Sequence, residues 1–349
     1  LFEHSGHGHW QFNQAMLFSL DKNLDVQRFE RAFGQVLNQH AGLRQIFDLQ
    51  TEHGHPRLLP QGQKILLSQV DCPSSPEGLN ELLERQQQGF ALDKGPLLKA
   101  LRIIRAKEAE DWLLLVAHHS IIDNWSWTVL IEDLLDYYQQ PHKSLSDVPS
   151  VIDWVSCLQQ RDVNEAERAL WYHRASTRLP PLFARTDSHS YGQSTSLPIS
   201  LDKEQSDKLL SMAQQPIDAR VDEVLSGALA MTLMQMQRRG ALRFNLETHG
   251  RAEGLAVNPQ RLVGWLTALF PVLFELSWPC SPLQVLREAK QRLRETPAQG
   301  VGYGSLKYLH KDKQLHDGQP VEVCLNYLGR LSVQQNLSLP FIAAHNTPI

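Results

Sequence analysis

Residues Trp112 to Tyr138 read WLLLVAHHSIIDNWSWTVLIEDLLDYY. The apolar run from Trp112 to Ala117 predicts a buried strand, which delivers the adjacent histidines His118 and His119 and then, four residues beyond the second, Asp123. From Trp127 the period changes. Leu130, Ile131, Leu134, Leu135 and Tyr138 recur at helical spacing, while Glu132, Asp133 and Asp136 fall outside that stripe. A strand that passes into a helix through a short polar crossing holds side chains on rigid elements and still exposes them, which suits reacting groups. Alternation along the strand sets the two histidines on opposite sides. His118 reads as a core histidine with satisfied ring nitrogens, which leaves His119 on the other face.

Working outward, a chain of 349 residues can bury a large core and is expected to form two domains or one unit with two lobes. Hydrophobic residues make up 42% and charged ones 21%, an ordinary soluble composition. A formal charge of -4 leaves no basic excess to neutralise phosphates, so a duplex nucleic-acid surface is not expected. Cys72, Cys157, Cys280 and Cys324 are far apart without CxxC spacing and read as thiols in a reducing, cytoplasmic compartment. No apolar run of about 18 residues is present to span a membrane. The chain starts at Leu1 with no signal segment and reads as a piece of something longer.

His4, His7 and His9 could in principle chelate a metal, but Gly6 and Gly8 deny them a rigid frame, and a flexible polar approach to the first strand is expected instead. Asn13 to Leu20 predicts that strand. A helix with Asp25 as N-cap and Val26, Phe29, Phe33, Val36, Leu37 and His40 on one stripe follows, then a short strand at RQIFDL. This order predicts mixed α/β structure. Further predictions are a helix from Leu79, a hairpin of Leu97 to Ala106 with the Trp112 strand, and a helical stretch from Val151 to about Ala175. Residues 178–193, RLPPLFARTDSHSYGQ, lack any period and are expected to link a lobe at 1–177 to a lobe at 194–349. In the latter, STSLPISL is strand-like, and a helix from Arg220 presents Leu225, Leu229, Thr232, Leu233 and Met236 as its apolar face. The strand Ala241 to Glu247 sets Arg243, Asn245 and Glu247 on one face and Leu242, Phe244 and Leu246 on the other.

The spacing His-His-x-x-x-Asp resembles the core motif of the condensation superfamily of nonribosomal peptide synthetases, whose fold is similar to chloramphenicol acetyltransferase. Ser126-Trp127, Glu247-Thr248-His249-Gly250-Arg251, the segment Arg261 to Val272, the segment Arg287 to Leu309 with its Gly-Tyr-Gly, and CLNYLGRL near the end resemble the epimerization branch. Together with HWQFNQAMLF and HAGLRQIF, the likeness covers nearly the whole chain. One departure is Asn124, where the family has glycine. The chain also stops at Ile349, before the family pattern ends, so the second lobe is expected to be truncated or incomplete.

The resemblance implies two acetyltransferase-like lobes with mixed sheets, set in a V with a tunnel between them. It implies epimerization, L to D, of the Cα of an aminoacyl or peptidyl thioester by two-sided proton transfer. His119 would serve one face and Glu247 the other. His118, Asp123, Asn124, Asn326 and Tyr327 are supporting residues, and an arginine, Arg261 or Arg44, is expected to hold Asp123. No metal or free cofactor is implied. The 4'-phosphopantetheine arm arrives on an upstream peptidyl carrier domain, and a downstream condensation domain receives the D-form. Amide-forming condensation and a catalytically inactive docking domain remain open as alternatives.

Overall fold

The computed structural model describes residues 12–49, 55–144, 147–183, 194–214, 218–316, 319–329 and 341–344. The three N-terminal histidines and residues 184–193 of the expected linker lie outside the described residues. The strands are β1 (Asn13–Asp21), β2 (Gln45–Asp48), β3 (His55–Leu58), β4 (Leu67–Asp71), β5 (Leu98–Ile104), β6 (Glu110–His118), β7 (Ala241–Thr248), β8 (Ala268–Glu275), β9 (Cys324–Asn326) and β10 (Phe341–Ala344). The longer helices are α1 (Val26–Gln39), α2 (Pro76–Gln86), α3 (Asn124–Gln139), α4 (Val151–Gln160), α5 (Glu165–Ser176), α6 (Lys203–Gln214), α7 (Val221–Gln237) and α8 (Pro282–Arg294).

β6 lies at the centre of a five-stranded sheet ordered β10-β1-β6-β5-β4. Its neighbours β1 and β5 run antiparallel to it, whereas β4 is parallel to β5, so the sheet is mixed. Leu113 to Ala117 are all buried, as a strand covered on both faces requires. Phe29, Phe33 and Val36 of α1 and Leu130 and Leu134 of α3 share that core. Asp25 caps α1 by accepting from the Arg28 N–H at 3.0 Å. α2 begins at Pro76, earlier than expected, because Ser75 accepts from the Gly78 N–H at 3.1 Å and proline suits the first helical turn.

A second sheet, β8-β7-β9, pairs β7 antiparallel with β8 and parallel with β9. Its core joins Phe244, Phe270 and Phe274 to Trp171 of α5. The expected single helix from Val151 is broken at residues 161–164, where Asn164 caps α5 by accepting from the Glu167 N–H at 2.9 Å. STSLPISL forms no strand, and Leu197 and Ile199 are each 83% exposed. The buried face of α7 is also not the expected one: Met236 is exposed, while Ser226, Gly227, Ala230, Leu233 and Met234 are buried. Small residues face α8 there, and a Cβ on Gly227 would lie 3.4 Å from Leu286 Cα and 3.6 Å from Ala289 Cβ. Close helix approach, rather than side-chain hydrophobicity, selects that face.

The chain divides into two compact units. One comprises Leu1–Cys157, Glu253–Thr267 and Leu328–Ile349, and the other Leu158–Ala252 and Ala268–Tyr327. The division after Cys157 precedes the expected linker, and two later segments return to the first unit. Packing accounts for both differences. Ser305 Oγ donates to the Leu158 carbonyl at 3.1 Å within the second unit, while Val263 enters the core built around β6.

Candidate active site

At the end of β6 the chain leaves the sheet in a single tight turn, His119–Ile121, before α3. His118 faces inward, fully buried, with Nδ1 2.7 Å from Ser120 Oγ and 3.2 Å from the Ser120 N–H, which it caps. His119 is half-buried. Its backbone N–H donates to the Phe12 carbonyl at 2.8 Å, which continues the β1–β6 pairing past Asn13↔His118. Two aromatic side chains, their own ring centroids 5.6 Å apart, pack against the ring. Phe12 stacks on it at 4.8 Å with an interplanar angle of 9°, and Trp265 tilts against it at 4.7 Å.

The polar contacts of that ring define its tautomer. Nδ1 lies 2.8 Å from the Ile122 carbonyl, which can only accept, so Nδ1 carries the proton. Nε2 is then the basic nitrogen, and the Gln14 amide nitrogen donates to it at 3.1 Å. Gln14 Oε1 in turn accepts from the Trp127 indole N–H at 3.0 Å. A tautomer fixed by the far nitrogen is the arrangement a histidine base needs.

Asp123, only 2% exposed, is the N-cap of α3. Oδ1 accepts from the Ser126 N–H at 2.9 Å, and Oδ2 from the Leu266 N–H at 3.0 Å. The Ser126 hydroxyl lies 2.7 Å from Asp123 Oδ1 and 2.9 Å from the Gly264 carbonyl, and accepts from the Gly264 N–H at 3.1 Å. The Trp125 indole donates to the Gln260 carbonyl at 3.0 Å. The start of α3 thus grips residues 260–266, the segment that brings Trp265 to His119.

Neither arginine expected to hold Asp123 does so. Arg261 pairs with Glu132 at 2.6 Å and with Asp133, and Arg44 donates to the Leu37 and Leu59 carbonyls at 3.0 and 2.6 Å. Arg44 is buried and is drawn to carbonyls beside its own short 3-10 turn, while Arg261 meets the acidic pair on the third turn of α3. Asn124 is the first residue of α3 and is not among the residues with positive φ, so it needs none of glycine's conformational freedom. Its Nδ2 donates to the Leu328 carbonyl at 3.2 Å.

In the second unit, Glu247 is half-buried near the end of β7, in register with Leu269 of β8 and Asn326 of β9. Two residues past the strand, Gly250 turns the chain at φ +66°, a region that favours glycine, and Arg251 curls back to donate to the His249 carbonyl at 2.9 Å. The polar row expected on β7 is divided. Arg243 is buried and donates to the carbonyls of Arg174, Ala175 and Thr177 at 2.9, 2.7 and 3.2 Å, which caps the C-terminus of α5. Asn326 and Tyr327 are both exposed.

Three groups escaped the reading of the sequence: Gln14, Phe12 and Cys324. The Cys324 thiol lies 3.8 Å from Glu247 Oε1, and although the residue is exposed overall, enclosure of its sulfur and then the neighbouring carboxylate push it up to about 12. Only the parallel β7–β9 register brings that thiol to Glu247. For Gln14 and Phe12 the available signal was their place in the first strand motif, whose partner strand the sequence does not name. Among the described residues no group of three or more His, Cys, Asp or Glu side chains could hold a metal, and no helix is long and apolar enough to cross a membrane.

An α/β fold with mixed sheets, a tautomer-fixed histidine at a strand end and an aspartate capping the next helix define the class. The chain belongs to the Condensation domain family, which matches residues 1–341. It is 30% identical over 339 residues to surfactin synthase subunit 2 of Bacillus subtilis (strain 168), covering 92% of this chain and 9% of that protein. Bacitracin synthase 3 of Bacillus licheniformis is 27% identical over 361 residues, covering 97% of this chain and 6% of that protein. The chain therefore spans less than a tenth of these relatives' length. Its fold is similar to the epimerization domain from the third module of tyrocidine synthetase B, with a TM-score of 0.80 at 24% identity over 92% of this chain and 77% of that one. The X-domain from teicoplanin biosynthesis is also similar, with a TM-score of 0.66 at 20% identity over 88% of this chain and 72% of that one.

Proposed function

We propose that this domain epimerises the Cα of an aminoacyl or peptidyl thioester, L to D, within a cytoplasmic nonribosomal peptide synthetase. The substrate would arrive on the 4'-phosphopantetheine arm of an upstream peptidyl carrier domain, and a downstream condensation domain would take the D-form. The observation that carries this reading is the His119 ring, with Nδ1 bonded to Ile122 and Nε2 left as the base. His119 removes the Cα proton, the electron pair of that C–H bond passes into an enolate at the thioester carbonyl, and a protonated Glu247 returns a proton to the opposite face. The reverse direction exchanges the two roles. Glu247 supports epimerization over amide formation, because joining an amine to a thioester has no need of a second proton-transfer group beyond Cα. The likeness to an epimerization domain, extending over 92% of the chain, supports the same choice.

The test is to load the cognate carrier with an L-aminoacyl or peptidyl pantetheine in heavy water and follow both chirality and deuterium content at Cα. The unmodified domain is expected to yield a mixture of L and D with deuterium at Cα. Glu247→Gln, which keeps shape but removes the transferable proton, is expected to lose inversion in both directions while His119 still exchanges the proton on its own face. Rapid inversion by that variant would overturn the two-group mechanism. Peptide-bond formation with an acceptor carrier, without inversion, would move the assignment to condensation; neither reaction would leave a docking domain.

A further inference from the structure

The proposed proton transfers do not use Gln14, yet its amide lies on the one nitrogen of His119 that must accept a proton. We propose that Gln14, locked by Trp127, is a positioning residue that holds His119 in its neutral, proton-accepting form and must turn its amide over whenever Nε2 of His119 takes up a proton. This rests on the reading of His119 as the base of an epimerase.

Donor and acceptor roles admit a single assignment. An indole N–H only donates, so the Gln14 atom 3.0 Å from Trp127 Nε1 is its oxygen. The amide nitrogen 3.1 Å from His119 Nε2 can then only donate, and Nε2 must present a lone pair. Ile122 demands the proton on Nδ1. All three bonds are satisfied by the neutral ring alone. Protonating Nε2 would set one N–H against another. Rotating the Gln14 amide by half a turn would relieve this and offer its oxygen to the imidazolium, but would turn an amide N–H toward the indole N–H of Trp127, which is 2% exposed.

Other side chains packed on the ring do not offset this bias. β1 and the residue before it contribute Gln14 and Phe12, the 260–266 segment contributes Trp265, and the turn itself contributes the Ile122 carbonyl, none of them charged. The adjacent titratable group, His118, is directed into the core and bonded to Ser120. One direction of epimerization starts with His119 neutral and the other with it protonated. Gln14 and Trp127 favour the first start. They leave the equilibrium between L and D unchanged and alter only the pH at which each direction runs.

The experiment follows the His119 ring by 15N NMR in histidine-labelled full-length chain as pH is lowered, without substrate, its signal assigned by loss in His119→Ala. Three variants are compared with the unmodified chain. Gln14→Glu supplies an acceptor with negative charge, Gln14→Met removes the donor at similar volume, and Trp127→Phe frees the amide to turn. Each is expected to move the ring's protonation midpoint to higher pH, Gln14→Glu furthest. The acid limb of the L-to-D rate is expected to move the same way. Unmoved midpoints in variants that keep the native near-ultraviolet circular dichroism would overturn the proposal. Moved midpoints in a domain that inverts no substrate would uphold the role of Gln14 and overturn the epimerase reading; unmoved midpoints in an active epimerase would do the opposite.

Discussion

A histidine with one nitrogen committed to a carbonyl can exchange protons only at the other, and at His119 that nitrogen is Nε2. His119→Ala is expected to lower Cα deuterium uptake on a carrier-bound substrate by about 100- to 10,000-fold while the melting temperature barely changes. Uptake near wild type would remove His119 from the chemistry. Beside Glu247, the Cys324 thiol is pushed up to about 12 by enclosure of the sulfur and then by the carboxylate. A raised thiol holds less thiolate at a given pH, on the order of a thousandfold less at pH 8 for a rise of that size, so alkylation at Cys324 should be slow. Glu247→Gln removes the adjacent charge, lowers the thiol toward its ordinary value and should speed labelling. Peptide-level mass spectrometry reads both rates. Rapid labelling of Cys324 in the unmodified chain, unaffected by the variant, would break the proposed pairing.

At the scale of elements, α3 serves as more than the continuation of the histidine strand. Its cap and first turn hold residues 260–266 through Asp123, Trp125 and Ser126, and its third turn holds Arg261 through Glu132 and Asp133. Asp123 acts here as a buried double acceptor for the Ser126 and Leu266 N–H groups. Asparagine would turn a donor toward one of them. Asp123→Asn should therefore cost about 1–3 kcal/mol, visible as a lower melting temperature and reduced soluble yield along with reduced activity. A large activity loss at unchanged melting temperature would instead assign Asp123 a direct part in the reaction.

For the whole molecule, the order of the chain and the partition of its packing do not coincide. The core around β6 includes Val263, and a Cβ on Gly42 would fall 2.2 Å from the Val263 carbonyl oxygen, so the later segment sits directly against the early one. A fragment of residues 1–177, cut where the sequence suggests a lobe boundary, lacks that segment and leaves the Asp123 and Ser126 contacts open. It should aggregate or lack cooperative thermal unfolding, whereas the full chain is expected to unfold cooperatively. A fragment with native near-ultraviolet circular dichroism and a sharp transition would show that the 253–267 segment is dispensable for folding.

Local pattern alone predicts the Trp112 strand, a hairpin with the strand before it, and the cap at Asp25, because each depends on residues close together in the chain; the candidacy of His119 and Glu247 comes from the family resemblance of the motifs around them. Local pattern fails where distant segments decide. The exposed STSLPISL stretch has a strand's alternation but no neighbour to pair with among the described residues, and α7 buries glycine and alanine because α8 approaches closely. Arg243 shares a strand face with Glu247, yet the carbonyls ending α5 capture its guanidinium. The contact of Gln14 with His119, and of Cys324 with Glu247, required strand register. Hydrogen bonding across a sheet joins residues 105 and 77 positions apart, and no local period encodes which strands will meet.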